Sequence, residues 1–215
     1  MVIRIRNLKF SHRPHTPFID IERLDIEPGV PTALIGGNGS GKTTLLRLIH
    51  GLIACQSGHI ERPPQSEIAM ISQQSRLLRL SSKNNLIVAA LLSGRSLTSA
   101  NTIANDWLSK MALKEQGAQM ATSLSGGQQQ RLAIARAMVK RPKVLLADEM
   151  TASLDAVHTQ FVEAILTVFA LPTDSNDYQA GTLVFTSHDT NQISRLARRV
   201  IRLNQGRIES DEPIS

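Results

Sequence analysis

The stretch GGNGSGKTT, residues 36–44, constrains the fold of this chain more than any other feature. It matches the pattern G-x-x-x-x-G-K-[ST] of a phosphate-binding loop (P-loop), which follows a strand and opens a helix. Both neighbours are predicted, because TALIG at 32–36 is a short apolar run typical of a buried strand and TTLLRLIHGL at 43–52 is typical of a helix. The sequence therefore predicts a strand, a phosphate loop and a helix in immediate succession.

The chemistry of this loop follows from its residue types. Gly36, Gly39 and Gly41 allow a turn tight enough to aim backbone N–H groups at a phosphate, and the helix N-terminus adds partial positive charge. Lys42 is expected to reach the β- and γ-phosphates, and the Thr43 hydroxyl is expected to ligate Mg²⁺. The expected phosphate-binding residues are Gly36, Gly37, Asn38, Gly39, Ser40, Gly41, Lys42, Thr43 and Thr44.

Two further apolar runs, VLLA at 144–147 and TLVFTS at 182–187, also read as strands buried on both faces. The first is followed by Asp148 and Glu149, and the second by His188. In open α/β sheets ligands bind beyond the carboxyl ends of the strands, so we expect these groups to meet the phosphate loop at one site.

Each of these three polar residues suits a step of phosphoryl transfer. Asp148 could hold the hydration shell of Mg²⁺, and Glu149 could orient and polarise an attacking water. His188 could bond an oxygen of the γ-phosphate. An acidic pair after an apolar run is common, so the inference depends on its combination with the phosphate loop.

A second glycine turn, LSGGQQQR at 124–131, lies some eighty positions downstream. Ser125 and Gln128 have the spacing of a capping box, which predicts that a helix covers 128–140 and that its first turn begins at the two glycines. The N–H groups of that turn and the Ser125 hydroxyl would form a second anion site. An ordinary helix cap without a ligand is the alternative.

The stretch between the strands at 32–36 and 144–147 has a pattern of apolar residues typical of helices. NNLIVAALLSG at 84–94 and NTIANDWLSKMAL at 101–113 are typical of short amphipathic helices and predict a helical subdomain. LPTDSNDYQAG at 171–181 has the composition of a surface loop.

Charge and composition narrow the class of partner. The formal net charge of +6 raises the question of nucleic acid, but the basic residues are scattered and aromatic residues make up only 3%, too few for base-stacking platforms. We therefore expect a solvated basic surface and no nucleic-acid partner. Five arginines are expected to form an exposed helix face running into a final hairpin: Arg195, Arg198, Arg199, Arg202 and Arg207.

The chain carries no feature of a membrane span or of secretion. Its longest apolar run, LIVAALL at 86–92, is too short to cross a bilayer, and MVIRIRNLKF at the start lacks the apolar core of a signal peptide. The single cysteine, Cys55, excludes an internal disulfide, which fits a reducing cytosol, and we interpret it as structural.

The combination of LSGGQ, GGNGSGKTT, VLLADE, TASLD and a His after the last strand resembles the ATP-binding cassette (ABC) family, the ATPase subunits of ABC transporters. The resemblance runs in order over nearly the whole chain. It implies an α/β P-loop NTPase core with a mostly parallel sheet, an N-terminal antiparallel β portion and a helical subdomain that carries the signature LSGGQ. The expected domain organisation is a single domain, 1–215, with a nucleotide-binding core at approximately 1–72 and 140–215 and the helical subdomain at 74–139.

The resemblance also explains why one chain has two phosphate-binding turns. In this family two cassettes associate head to tail, and the signature of one closes over the ATP held by the P-loop of the other. It implies that Ser125 and Gly127 contact the neighbour's ATP and that Asp155 in TASLD lies at the dimer seam.

Roles for the remaining residues are carried over motif by motif. The resemblance implies that Lys42 and Thr43 bind phosphate and Mg²⁺, that Asp148 is the second magnesium-side carboxylate, that Glu149 is the catalytic carboxylate, and that His188 is the switch histidine.

Two neighbouring residues are candidates for the glutamine of the Q-loop. Gln73 looks like the residue that senses Mg²⁺ and faces the permease, with Gln74 as the rival candidate.

The chain departs from the family pattern at three places. Where an aromatic usually stacks on adenine, KFSH offers His12, with Phe10 as a substitute. Met150 follows Glu149 where proline is usual, and GLIACQSG lacks a proline often found before that SG. None of these departures removes a catalytic group.

One cassette without a membrane span is the format of a bacterial importer's separate ATPase subunit. The resemblance therefore implies a transmembrane permease, a second cassette as a homodimer partner, a solute-binding protein, and a peripheral location on the cytoplasmic face of the cell membrane. LLRLIHGL, SRLLRLSSKNN and TSHDTNQISRLA are similar to cassettes of tungstate-type oxyanion importers. A non-transport ABC ATPase and an exporter-type cassette are the alternatives, whereas a P-loop kinase or GTPase would lack LSGGQ.

Overall fold

The computed structural model describes residues 2–11, 18–74, 76–171 and 180–214. The chain forms two compact units. The first, which we call the sheet unit, comprises residues 1–70, 143–149 and 163–215, and the second, the helical unit, comprises residues 71–142 and 150–162.

The sheet unit begins with a three-stranded antiparallel sheet of order β2-β1-β4, built from β1 (Ile3–Phe10), β2 (Ile19–Ile26) and β4 (Ser57–Glu61). Buried and exposed residues alternate along β1 until Asn7, where φ is +48° and the pairing with β4 shifts register. Such a bulge inserts one residue and changes which side chains face the core.

A six-stranded sheet of order β5-β6-β7-β3-β8-β9 carries the strands predicted from the apolar runs. Strand β3 pairs in parallel with β7 on one side and with β8 on the other. Strand β6 pairs in parallel with β7, and β9 pairs antiparallel with β8. All five residues of β6 and all five of β7 are buried, as expected for strands covered on both faces. The bounds are β3 (Thr32–Ile35), β5 (Ile68–Ile71), β6 (Val144–Asp148), β7 (Thr182–Thr186), β8 (Arg199–Asn204) and β9 (Arg207–Pro213).

The α-helices α1 (Lys42–His50) and α6 (Thr190–Leu196) belong wholly to the sheet unit. Apolar side chains of α1 join both sheets in one buried cluster, and each fully buried Leu or Ile of this kind contributes about 1.5–3 kcal/mol. Members of the cluster include Ile3, Ile5, Leu8, Ile21, Leu45, Leu46, Leu146, Val184 and Ile201.

The helical unit contains α2 (Ser82–Leu92), α3 (Leu97–Lys110) and α4 (Gly126–Val139). The next helix, α5 (Ala156–Ala170), begins in this unit and ends in the sheet unit. The starts of α2 and α3 are set by N-cap serines, since Ser81 accepts a hydrogen bond from Asn84 N and Ser96 accepts one from Ser99 N.

The prediction that the arginine cluster forms one exposed helix face is wrong, whereas the final hairpin into which it runs is confirmed by the antiparallel pairing of β8 and β9. Only Arg195 lies on α6, which ends at Leu196, while Arg199 and Arg202 lie on β8. Arg199 pairs with Asp211 on β9, and this ion pair raises the pKa of the guanidinium. The cluster is therefore spread over the end of α6 and the two strands of the hairpin, and on β8 the exposed Arg202 lies between the buried Ile201 and Leu203.

Gly206, in the turn between β8 and β9, lies where no side chain fits. Its φ is +77°, and a Cβ there would overlap the carbonyl oxygen of Phe18. Its N–H donates to Ser40 O and its carbonyl accepts from Asp20 N, both at 2.9 Å. The turn therefore connects the phosphate loop to the first sheet.

We expect Gly206→Ala to lower the free energy of unfolding by more than about 1 kcal/mol, because backbone strain and a clash add together. Urea unfolding measures the change. Gly94→Ala is the matched control, since Gly94 has a φ of +79° but open space around the missing Cβ. Equal losses in the two variants would contradict the role of the clash with Phe18.

In the part of the chain that the structure describes, none of the helices combines the length and the apolar character needed to span a membrane.

Candidate functional site

The phosphate loop connects the end of β3 at Ile35 to the start of α1 at Lys42. Gly36 has a φ of +147°, and a Cβ at this position would overlap the carbonyl oxygen of Leu203 on β8. A glycine is therefore required where the loop leaves the sheet. The first hydrogen bond of the helix runs from Leu45 N to Gly41 O at 2.8 Å, so the N–H groups before Leu45 lie outside the helical ladder.

Lys42 folds over this loop. Its Nζ donates to Gly36 O at 2.8 Å and to Gly37 O at 3.1 Å, and the residue is buried. The ammonium is thus held against the glycine turn, where its positive charge adds to the partial charge of the helix N-terminus.

Asp148, the last residue of β6, is held by two hydroxyl groups. Thr43 Oγ1 donates to Asp148 Oδ2 at 2.7 Å, and Thr186 Oγ1 donates to Asp148 Oδ1 at 2.8 Å. The carboxylate is buried, with 7% of the residue exposed, so both hydrogen bonds lie in a medium that strengthens them.

A hydroxyl and a carboxylate side by side are the oxygen donors that Mg²⁺ prefers. The described residues contain no group of three or more His, Cys, Asp or Glu side chains that could enclose a metal by themselves. This donor set therefore fits a magnesium ion whose coordination is completed by phosphate oxygens and water, which is the usual arrangement for this ion.

Glu149 occupies a strained backbone conformation. Its φ is +49°, which is uncommon for a residue with a side chain and persists where the surroundings impose it. Its N–H donates to Thr186 Oγ1 at 2.9 Å, and its Oε1 lies 2.9 Å from His188 Nε2. Both ends of the residue are therefore fixed by β7 and the segment that follows it.

The predicted convergence at the strand ends is confirmed within the sheet unit. Thr43 meets Asp148, and Glu149 meets His188, beside the loop that holds Lys42. Thr186 is a member of this group that sequence reasoning missed. The only signal was its position at the end of TLVFTS, and its register opposite Asp148 cannot be read from the sequence.

The second glycine turn is the start of α4, as predicted. Ser125 Oγ accepts from Gln128 N at 3.3 Å, and Gln128 Oε1 accepts from Ser125 N at 3.0 Å, so both halves of the capping box are present. A Cβ on Gly127 would lie 3.1 Å from Ser153 O, which brings this turn close to the TASLD loop of the same unit.

Asp155, at the end of TASLD, acts as a cap for α5. It accepts from His158 N at 2.9 Å and lies 2.7 Å from His158 Nδ1. These contacts, first of all the backbone hydrogen bond from His158, hold the pKa of the Asp155 carboxyl below its usual value.

Gln73 and Gln74 follow β5 and are both exposed, and Gln74 O accepts from Ser72 Oγ at 3.0 Å. His12 lies outside the described residues. Phe10, the alternative to it, is half-buried at the end of β1 and packs against the core cluster.

A phosphate loop on a mostly parallel sheet, with an acidic strand end beside it, defines a P-loop nucleoside triphosphatase. Residues 20–152 match the family model described as ABC transporter, and the chain belongs to this family.

Relatives extend this match over nearly the whole chain. The tungstate uptake system ATP-binding protein TupC of Peptoclostridium acidaminophilum is 32% identical, over 97% of each chain. The phosphonates import ATP-binding protein PhnC 2 of Pseudomonas syringae is 37% identical, over 95% of this chain and 81% of the relative. A bacterial ABC transporter cassette solved as a dimer is 26% identical, with a TM-score of 0.86 and 99% of both chains covered.

The predicted fold class, membership of the ABC family and ATPase activity are thereby confirmed. The chain is an ATP-binding ATPase of this family.

Proposed function

We propose that this chain is the nucleotide-binding subunit that powers an ABC importer, and that it works through ATP-dependent head-to-tail pairing of two copies. The observation that carries the proposal is the grouping of Asp148, Glu149 and His188 beside the loop that holds Lys42, since each side chain has the chemistry that one part of ATP hydrolysis needs.

Binding of the triphosphate is assigned to the loop between β3 and α1. The backbone N–H groups before Leu45 donate hydrogen bonds to the phosphates, and the Lys42 ammonium neutralises charge on the β- and γ-phosphates. On binding, Lys42 would give up its two contacts with carbonyl oxygens of the loop. The assigned phosphate contacts are Gly36, Gly37, Asn38, Gly39, Ser40, Gly41, Lys42, Thr43 and Thr44.

Magnesium is assigned to the Thr43 hydroxyl and the Asp148 carboxylate, whose oxygen atoms already lie 2.7 Å apart. When bound, the ion would neutralise negative charge on the phosphates.

Glu149 is assigned as the group that orients the attacking water and accepts its proton. His188 lies against Glu149 Oε1 at 2.9 Å and is assigned to a γ-phosphate oxygen. A hydrogen bond from His188 also restricts the Glu149 carboxylate to one orientation, which is the requirement for a positioned base.

The second phosphate-binding turn, in LSGGQ, is assigned to the nucleotide held by a neighbouring copy. Ser125 and Gly127 open α4 in the helical unit, whereas the P-loop belongs to the sheet unit. We assign the sheet unit to nucleotide binding and the helical unit to presentation of the signature. Asp155 ends the TASLD loop, which lies beside Gly127, and is assigned to the dimer seam. The dimeric form of a related cassette supports this arrangement.

Import is supported by the relatives. They are ATP-binding proteins of tungstate uptake, phosphonates import and arginine transport. We infer a permease partner, a solute-binding protein in the same complex, and a peripheral position at the cytoplasmic face of the membrane. An oxyanion such as tungstate is the proposed cargo class, since tungstate and phosphonates are both anionic oxygen compounds.

Affinity purification of the tagged chain from detergent-solubilised membranes of its own cells tests this proposal. We expect a multi-span membrane protein and a solute-binding protein to co-purify in fixed stoichiometry, with an untagged strain as control. Alkaline washing should release the chain from the membranes because its attachment is through protein contacts. A chain found with ribosomes or DNA repair proteins would support the non-transport alternative. A fixed complex with a permease but no binding protein would favour export.

A further inference from the structure

We propose that Thr186 is a positioning residue for ATP hydrolysis, because its single hydroxyl fixes both Asp148 and Glu149. The inference rests on the proposed roles of those two residues. Thr186 lies outside the P-loop and the LSGGQ signature, so neither motif predicts a role for it.

The position of Thr186 follows from the sheet. It is the last residue of β7, the strand between β6 and β3, and lies in register with Asp148 on one side and Leu34 on the other. Its neighbours leave only 1% of the residue exposed. The residue therefore lies between the acidic end of β6 and the strand that leads into the phosphate loop.

One hydroxyl serves two partners because it is both a donor and an acceptor. Thr186 Oγ1 donates to Asp148 Oδ1 at 2.8 Å and accepts from Glu149 N at 2.9 Å. The first bond is assisted by the charge of the carboxylate. Loss of the hydroxyl would leave a buried carboxylate oxygen and a backbone N–H without this partner, which is costly away from water.

The bond to Glu149 matters because that residue has a strained backbone. A φ of +49° is maintained only by its surroundings, and the Thr186 hydroxyl is a direct restraint on it. The side chain of Glu149 starts from this backbone, so its direction toward a water depends on the restraint. A displacement of about 1 Å at a reacting group lowers the rate on the order of 10²-fold.

The bond to Asp148 has a separate role. Asp148 is held by Thr43 through Oδ2 and by Thr186 through Oδ1. The Thr43 hydroxyl is a proposed magnesium ligand, so Thr186 is the contact that would keep the carboxylate oriented if Thr43 binds the ion. Removal of the hydroxyl should therefore have two effects: a lower rate of hydrolysis and a lower apparent affinity for Mg²⁺.

Thr186→Val is the variant that removes the hydroxyl and keeps the shape and the strand preference. We expect kcat to fall by about 10- to 100-fold, the Mg²⁺ concentration for half-maximal activity to rise, and the Kd for ATP without magnesium to change by less than about threefold. Thr186→Ser, which keeps the hydroxyl, should retain kcat and the Mg²⁺ dependence within about threefold of the wild type.

These readouts separate positioning from packing. A packing role alone would lower the melting temperature of both variants and leave kcat per folded molecule and the Mg²⁺ dependence unchanged. The inference would be overturned if Thr186→Val kept the wild-type kcat and Mg²⁺ dependence. It would also be overturned if Thr186→Ser lost as much kcat as Thr186→Val. If Thr186→Val does not fold, the smaller Thr186→Ala carries the same comparison. Absence of ATP hydrolysis by the wild type would instead overturn the proposed function.

Discussion

Glu149→Gln is expected to lower ATP hydrolysis by about 10²- to 10³-fold while leaving ATP bound. The amide has the shape of the carboxylate and can still pair with His188 through its oxygen, but it cannot accept a proton from the attacking water. Because the ATP is not consumed, we also expect the variant to accumulate as a dimer in saturating MgATP. Phosphate release and light scattering after gel filtration measure the two effects.

Glu115→Gln is the matched control, since it makes the same change of charge on an exposed residue of the helical unit. It should hydrolyse ATP like the wild type and return to a monomer as ATP is consumed. A Glu149→Gln protein that stays monomeric in saturating MgATP would count against the shared site. One that keeps wild-type turnover would show that Glu149 is not the base.

The sequence was sufficient where a structural feature is local. The phosphate loop has its own residue pattern, and the capping box of Ser125 and Gln128 needs only a three-residue spacing. Strands β6 and β7 were predicted because burial on both faces demands continuous apolar runs.

Features set by contacts between distant segments could not be predicted. The pairing of Thr186 with Asp148 depends on the register of two strands, and nothing in either strand specifies it. The left-handed backbone of Glu149, whose N–H donates to the Thr186 hydroxyl, could not be predicted either, since glutamate has no preference for this conformation. The site residue missed from the sequence was therefore the one whose role arises only in the folded sheet.

Helix boundaries shifted for local reasons that the pattern left ambiguous. The second helix of the helical unit was predicted at 101–113, but α3 begins at Leu97 because Ser96 caps it. It ends before Met111, and Ala112 has a φ of +51°, which a helix cannot continue through. The apolar residues after the helix were mistaken for its last turn.

Ser125→Arg is expected to reduce ATP hydrolysis by on the order of 10²-fold, because a long charged side chain would fill the anion site at the start of α4. The affinity of the same chain's P-loop for ATP should stay within about threefold of the wild type, since Ser125 serves the neighbour's nucleotide in the proposed dimer. Turnover and the binding of a fluorescent ATP analogue measure these effects separately.

Loss of a helix cap must be separated from loss of the phosphate contact. Ser96→Arg is the matched control, because it removes the cap of α3 in the same unit at an exposed position. Each cap contributes about 1 kcal/mol to stability, so the two variants should lose similar amounts of it. Only Ser125→Arg should lose turnover. An equal loss in Ser96→Arg would attribute the effect to the helix.

A mixture of two inactive variants distinguishes a shared site from a site within one chain. Lys42→Ala should lose triphosphate binding but keep an intact signature, and Ser125→Arg should do the reverse. In a head-to-tail heterodimer, one of the two sites then combines an intact loop with an intact signature. Since half of the dimers formed at equal concentrations are mixed, activity should recover to about a quarter of the wild-type value. If Ser125 instead acts on the ATP of its own chain, every site contains one defect and the mixture stays as inactive as its components.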